Sequence, residues 1–213
     1  MEHKERIFVF GASGHAKVVI DVIEKQNLYQ IESLIDDNNA LKGKEVLGYK
    51  VKGGREVLLS NREFSSISKG IIAVGDNQAR MDIGRWLTDK GIQLIKAIHP
   101  SAQIARGVSI SAGTVIMAHA VINSDCKIGK NVIINTCANV DHDCVIEEGV
   151  HIAPGSTLCG NVVVGRGSFI GAGVTVVPNI VIGKNVIVGA GSTVIKNVPD
   201  EVKIVGNPAK ELK

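Results

Sequence analysis

From Ile98 onward the chain repeats one pattern. Every sixth residue to Val194 is Ile, Leu or Val, among them Ile104, Ile116, Ile134, Val140, Ile152, Leu158 and Val176. Four residues after each comes a small or β-branched side chain, as at Ala102, Thr114, Cys126, Ala138, Cys144, Ser156, Val174 and Ser192. Neither a helical period nor simple strand alternation makes this double column. An unbroken six-residue period predicts a parallel β-helix in which three hexapeptides form one triangular coil, and the stretch is long enough for about five coils. The register turns both columns inward. Asp141, His142 and Asp143 then lie at an outward corner between Val140 and Cys144, and His119 and His151 also fall at outward positions.

The pattern before Ile98 is different. "RIFVF" reads as a buried strand, and "GASGHAKVVIDVIEKQ" as a glycine turn and a helix with Val18, Val19, Val22 and Ile23 at helical spacing. "IESLIDD", "GIIAV" and "IQLIKAI" read as further strands, with a helix "QARMDIGRWLTDK" before the last. Strands alternating with helices predict a parallel sheet with Rossmann-like winding. The expected organisation is an α/β Rossmann-like domain over residues 1–97 and a β-helix over 98–213.

Composition agrees with two domains. Both Tyr, the single Trp and three of the four Phe lie in the first 90 residues, so the β-helix core must be aliphatic. The net charge of +3 is spread evenly, and no basic stripe with interleaved aromatics suggests a nucleic-acid groove. The start "MEHKERIFVF" has the form of neither a signal peptide nor a membrane span, which predicts a cytoplasmic protein without membrane insertion. Cys126, Cys137, Cys144 and Cys159 form no CxxC pair and read as small core or half-buried residues.

Candidate chemistry falls in both halves. Gly11 and Gly14 let the backbone approach a ligand ahead of a helix N-terminus, and Asp36 and Asp37 end the next strand, where a carboxylate accepts from ribose hydroxyls. The turn lacks the third glycine of the dinucleotide fingerprint and the Lys-Ser/Thr of a P-loop, and a merely structural tight turn fits it as well. No room is left for a hydride-transfer domain. His142 between two aspartates suits a general base near neutral pH, with Asp143 and Asp141 both available to orient the ring. The spacing of His119, His142 and His151 lacks the close histidine pair of zinc-bearing β-helices, and no metal is expected.

"GASGHAK", "DD", "AVGDNQAR", "HPSA", "IINTCANVDHDC" and "GNPAK", in this order, resemble the bacterial sugar acyltransferases of the PglD/NeuD type along essentially the whole chain. The resemblance implies a left-handed β-helix, a homotrimer, and transfer of acetyl from acetyl-CoA to a nucleotide-linked amino sugar destined for a surface glycan. It implies His142 as general base, Asp143 as the acid orienting it, and Asn135 as a substrate contact. His151 and the backbone N–H of Gly160 would line the acetyl end of acetyl-CoA, while Gly11, Ser13, Gly14, His15, Asp36 and Asp37 would bind the nucleotide sugar. By the same resemblance a UDP-linked 4-amino sugar is the expected acceptor, and O-acetylation of a sialic-acid-like sugar is the alternative. Family members with Glu after the histidine leave open how the shorter Asp143 reaches the ring. Outward Ile133 and Phe169 would fit a subunit interface, and Lys184, Lys196 and Lys203 the CoA phosphates. A β-helix scaffold bearing a sugar-nucleotide sensor domain is the non-enzymatic alternative.

Overall fold

The structure is a computed structural model that describes residues 4–60 and 67–212, so the first three residues of the charged start "MEHKERIFVF" lie outside it. The chain divides into two compact units, Met1–Pro100 and Ser101–Lys213. The division falls just after a short strand at Ala97–Ile98, which packs on the first helix and whose Ile98 N–H donates to the Gln26 side chain.

The first unit is a sheet flanked by helices. Its elements are β1 (Glu5–Phe10), α1 (Gly14–Gln26), β2 (Tyr29–Ile35), β3 (Glu45–Val46), β4 (Tyr49–Gly53), α2 (Val57–Ser60), β5 (Lys69–Ile72), α3 (Asn77–Asp89) and β6 (Gln93–Leu94). The strand order is β3-β4-β2-β1-β5-β6. β1 lies parallel between β2 and β5, so the chain leaves β1 in one direction for β2 and returns on its other side at β5. Such a reversal opens a crevice beyond the carboxyl ends of the strands.

Three expectations for this unit are corrected. The sheet is not wholly parallel, because the two-residue turn Leu47–Gly48, both residues at positive φ, folds β3 back on β4 as an antiparallel hairpin. "IQLIKAI" is not one strand but two short ones, at Gln93–Leu94 and Ala97–Ile98. Val18 is 41% exposed, since α1 buries the stripe Ala16, Val19, Ile20, Val22 and Ile23 instead. The core between sheet and α3 is Phe8, Phe10, Ile35, Ile67, Ile72, Ile83 and Leu87.

The second unit is a parallel β-helix of two-residue strands. Strands 18 residues apart pair in register, as in Val121↔Asn139↔Thr157 and Val145↔Val163↔Val181. Three such stacks form the sides of a triangular prism. From Ile116 to Val194 the expected inward column is buried throughout, and so is its companion column from Thr114 to Ser192. Each fully buried Ile or Val contributes about 1.5–3 kcal/mol of transfer free energy. The first coil departs from the pattern: Ile104 is exposed and Ala102, Val108 and Ile110 are only half-buried, because a terminal coil within this unit has a neighbour on one side only. Each corner turns through one residue in the left-handed region. That slot recurs every six residues and holds Gly, Asn or Asp, with His119 and Cys137 the exceptions. At the far end "GNPAK" forms the turn between strands Lys203–Gly206 and Ala209–Glu211, with a cis bond before Pro208.

Candidate active site

The corner after strand Asn139–Val140 presents His142 and Asp143 to solvent. The His142 Nδ1–H donates to Asp143 Oδ2 at 2.8 Å. An ionised carboxylate only accepts, so this bond fixes the ring in the Nδ1–H tautomer and leaves the Nε2 lone pair for a proton. Asp143 occupies the left-handed corner slot at φ 58°, a conformation a short Asp tolerates well, and from there it reaches the ring without difficulty. Asp141 does not compete for the imidazole. Its Oδ1 accepts instead from the His142 backbone N–H at 2.9 Å and from Asn123 Nδ2 at 2.8 Å.

Electrostatics tune this corner. The hydrogen bond donated to Asp143, and then the charge of Asp141, raise the His142 pKa above the ordinary imidazole value. One coil further on lies Gly160, where a Cβ would come within 2.6 Å of His142 Cε1 and 2.7 Å of Nε2. Gly160 is therefore the floor against which the imidazole lies. The Cys144 thiol is not placed as a nucleophile: it is buried, donates to the Cys159 carbonyl, and is pushed up in pKa by its bond with Cys126 and by burial.

Asn135 and His151 form a second cluster, on another corner of the prism. Asn135 Nδ2 and His151 Nε2 are 3.0 Å apart, and Asn135 Oδ1 accepts from the Thr136 N–H. His151 occupies an outward strand position, yet it is only 9% exposed, stacked between Ile133 and Phe169 and edge-on to the Phe169 ring at 5.1 Å. Its side chain is thus outward as expected from the register, but covered by its neighbours on the stack. Ile133 is wholly buried within the chain, so it does not offer the exposed apolar surface expected of it. The strand Asn139–Val140 separates this cluster from His142, so one chain does not bring the two together.

In the first unit the nucleotide-site candidates do converge, at the carboxyl ends of β1 and β2. Gly11 turns at φ 120° with its N–H on the Ile35 carbonyl, and a Cβ there would meet the Ala73 oxygen at 2.6 Å, so only glycine fits. Asp36 braces the loop by accepting from the Ala12 and Asn38 N–H groups. Asp37 is held by Arg55, whose guanidinium donates at 2.6 Å and lies over the Trp86 ring at 5.2 Å. Ser13 and Gly14 are exposed at the start of α1. His15 is half-buried there, and burial together with the Arg80 charge drops its pKa to about 4, so it is neutral at physiological pH. Arg80 was missed in the sequence. Fully buried, it donates to the Val74 and Gly75 carbonyls and to Asn77, fixing the loop after β5.

Residues 6–87 match the PglD N-terminal domain family, and three overlapping stretches between 125 and 196 match the bacterial transferase hexapeptide family. PerB from Caulobacter crescentus, solved in complex with CoA and GDP-perosamine, is 38% identical with a TM-score of 0.92, covering 100% of this chain and 99% of that one. The chain belongs to the PglD/NeuD-type sugar acyltransferases. The acetyltransferase domain of PglB from Neisseria gonorrhoeae FA1090, in complex with acetyl coenzyme A, is another such acyltransferase relative, at 34% identity and TM-score 0.90 over 99% of this chain and all of that one. UDP-N-acetylbacillosamine N-acetyltransferase of Bacillus subtilis (strain 168) is 37% identical over 116 residues, which span about half of either protein, 54% of this chain and 52% of the relative. The acyltransferase fold read from the sequence, a Rossmann-like domain followed by a left-handed β-helix, is that of the full-length neighbours. Among the described residues no group of three or more His, Cys, Asp or Glu is placed to hold a metal ion, and no helix is long and apolar enough to cross a membrane.

Proposed function

We propose that the protein transfers the acetyl group of acetyl-CoA to the amino group of a nucleotide-linked 4-amino sugar, with His142 as general base. The observation that carries this is the His142–Asp143 pair, its tautomer fixed and its exposed ring lying over the glycine floor. As the sugar nitrogen attacks the thioester carbonyl, His142 Nε2 takes its proton. The C–N bond forms, the C–S bond breaks, and the proton passes to the departing thiolate. No acyl-enzyme is needed, because a thioester is already activated.

Support for the acceptor comes from relatives whose names carry GDP-perosamine and UDP-N-acetylbacillosamine, and for the donor from their CoA and acetyl-CoA complexes. Two further structures of the perosamine N-acetyltransferase, with one histidine replaced by asparagine or alanine, were obtained with CoA and GDP-perosamine bound, as fits a histidine needed for turnover rather than binding. We hold to a UDP-linked sugar as acceptor and to a role in making a surface glycan. Ser13, Gly14, His15, Asp36 and Asp37 bind the nucleotide sugar around the Gly11 turn, and the Gly160 N–H lies at the acetyl end of acetyl-CoA. The separation of Asn135 and His151 from His142 supports a trimer in which one copy's base faces the other cluster of its neighbour, with acetyl-CoA between their coils. Sedimentation equilibrium tests the assembly: a monomer at working concentration contradicts it. Turnover assays with UDP- and GDP-linked amino sugars test the acceptor, and a preference for the GDP sugar contradicts the UDP assignment.

A further inference from the structure

The corner that carries His142 is tied to the coils on both sides. The Asp143 N–H donates to the Ser124 carbonyl and the Asn161 N–H to the His142 carbonyl, both ordinary rungs of the coil stack. Asp141 is held in more ways than a rung requires. Its N–H donates to the Leu158 carbonyl, its own carbonyl accepts from the Cys126 thiol at 2.9 Å, and its Oδ1 takes Asn123 Nδ2 and the His142 N–H together. The same corner position on successive coils is Ala105, Asn123, Asp141, Cys159 and Val177. The amide and the carboxylate of this column therefore stand on the coil beneath and on the base's own coil, and they bond each other.

We infer that Asn123 is a positioning residue for acyl transfer, acting through Asp141 on the backbone and the ring of His142. The inference rests on His142 being the base. Asn123 holds Oδ1 of Asp141 in the plane where it meets the His142 amide, which sets the direction in which the imidazole leaves the backbone. The same bond keeps a negative charge beside the ring, and it is the first cause, ahead of the His142 amide, that lowers the Asp141 pKa. The groups acting on the His142 charge are Asp143, Asp141 and the Cys126 thiol. Asp143 selects the tautomer while Asp141, steered by Asn123, fixes the corner; the two aspartates have separate tasks. Without Asn123 the half-buried Asp141 is still held by the His142 N–H but is no longer braced from the coil beneath it.

The experiment compares wild type with N123A, D141A, the double variant and H142A, using NMR titration of the His142 Cε1–H and turnover with acetyl-CoA and whichever UDP- or GDP-linked amino sugar the wild type acetylates, after melting curves have shown each to be folded. N123A is expected to lower the His142 pKa, move the acid limb of kcat/KM to lower pH and reduce kcat about three- to tenfold with KM little changed, as the loss of one partly exposed hydrogen bond allows. The double variant is expected to be no worse than D141A, because Asn123 acts only through Asp141. A His142 titration in N123A identical to wild type, or losses that add in the double variant, overturns the inference. Wild-type turnover by H142A overturns the base assignment itself, and is told apart from the first failure because it is read on a different variant.

Discussion

Replacing Gly160 with alanine perturbs the base without touching it. The added Cβ would lie 2.6 Å from His142 Cε1, 2.7 Å from Nε2 and 3.3 Å from Nδ1, while the backbone of Gly160 is not in the left-handed region and accepts an L-residue. The ring is the part that must yield, and since the His142 side chain is 59% exposed it can swing into solvent, giving up the 2.8 Å bond to Asp143. Global stability should hardly change. A glycine-to-alanine change at a tolerant site is worth about 0.4–1 kcal/mol through the unfolded chain, and about 1 kcal/mol moves Tm by roughly 2–4 °C in a domain of this size. Activity should suffer far more, because a positioned general base contributes about 10²–10⁴-fold. Thiol release from acetyl-CoA should therefore fall at least about 100-fold in G160A, toward the level of H142A, with Tm within a few degrees of wild type. Calorimetric titration with CoA separates a lost base from a lost binding site, because alanine keeps the backbone N–H. Full activity in G160A would refute the steric reasoning, and so would a Tm drop of ten degrees or more.

Other outcomes follow from the same geometry. With the His142 pKa raised and its neutral form required, kcat/KM should fall on acidification through a limb lying above the ordinary imidazole value; D143N, which still suits the left-handed slot, should move that limb to lower pH and lower the plateau, as a pH–rate series will show. Because folded His15 has a pKa near 4 against 6.5 unfolded, the unfolded state binds more protons between those values, and stability should decline as pH falls from 6.5 to 4 by up to about 3 kcal/mol; urea titrations of wild type and H15Q should differ in that window. G11A forces a Cβ against the Ala73 carbonyl at φ 120° and should cost about 2 kcal/mol or more, while abolishing nucleotide-sugar binding, as melting and calorimetry will report. Trp86, the chain's only tryptophan, reports on Arg55 and through it on Asp37, so a nucleotide sugar that engages Asp37 should change its fluorescence, and D37A should remove the change.

The β-helix was legible because its core is a column. A period of six puts every third hexapeptide on the same side, and nothing local competes with that register, so the outward placement of the Asp141–Asp143 corner followed directly. The choice between Asp141 and Asp143 was open in the residues, although a second column held a clue: every sixth residue from Gly107 to Gly191 turns left-handed, and Asp143 belongs to it while Asp141 does not. Two things were hidden. Burial of His151 depends on Ile133 and Phe169, one coil away on either side, a proximity of 18 residues that only the stacked coil creates. The role of Asn123 is equally non-local, since its partner Asp141 is one full coil later. In the first unit the Leu47–Gly48 hairpin escaped notice because its strands are short and carry as many lysines as aliphatic residues.

The central claim is tested most directly by thiol release from acetyl-CoA with a panel of UDP- and GDP-linked amino sugars, wild type beside His142→Ala. The account predicts turnover with an amino sugar that is lost in the variant while CoA still binds. Equal turnover in both proteins would contradict His142 as the base, and binding of nucleotide sugar without any acetyl transfer would contradict the enzymatic assignment.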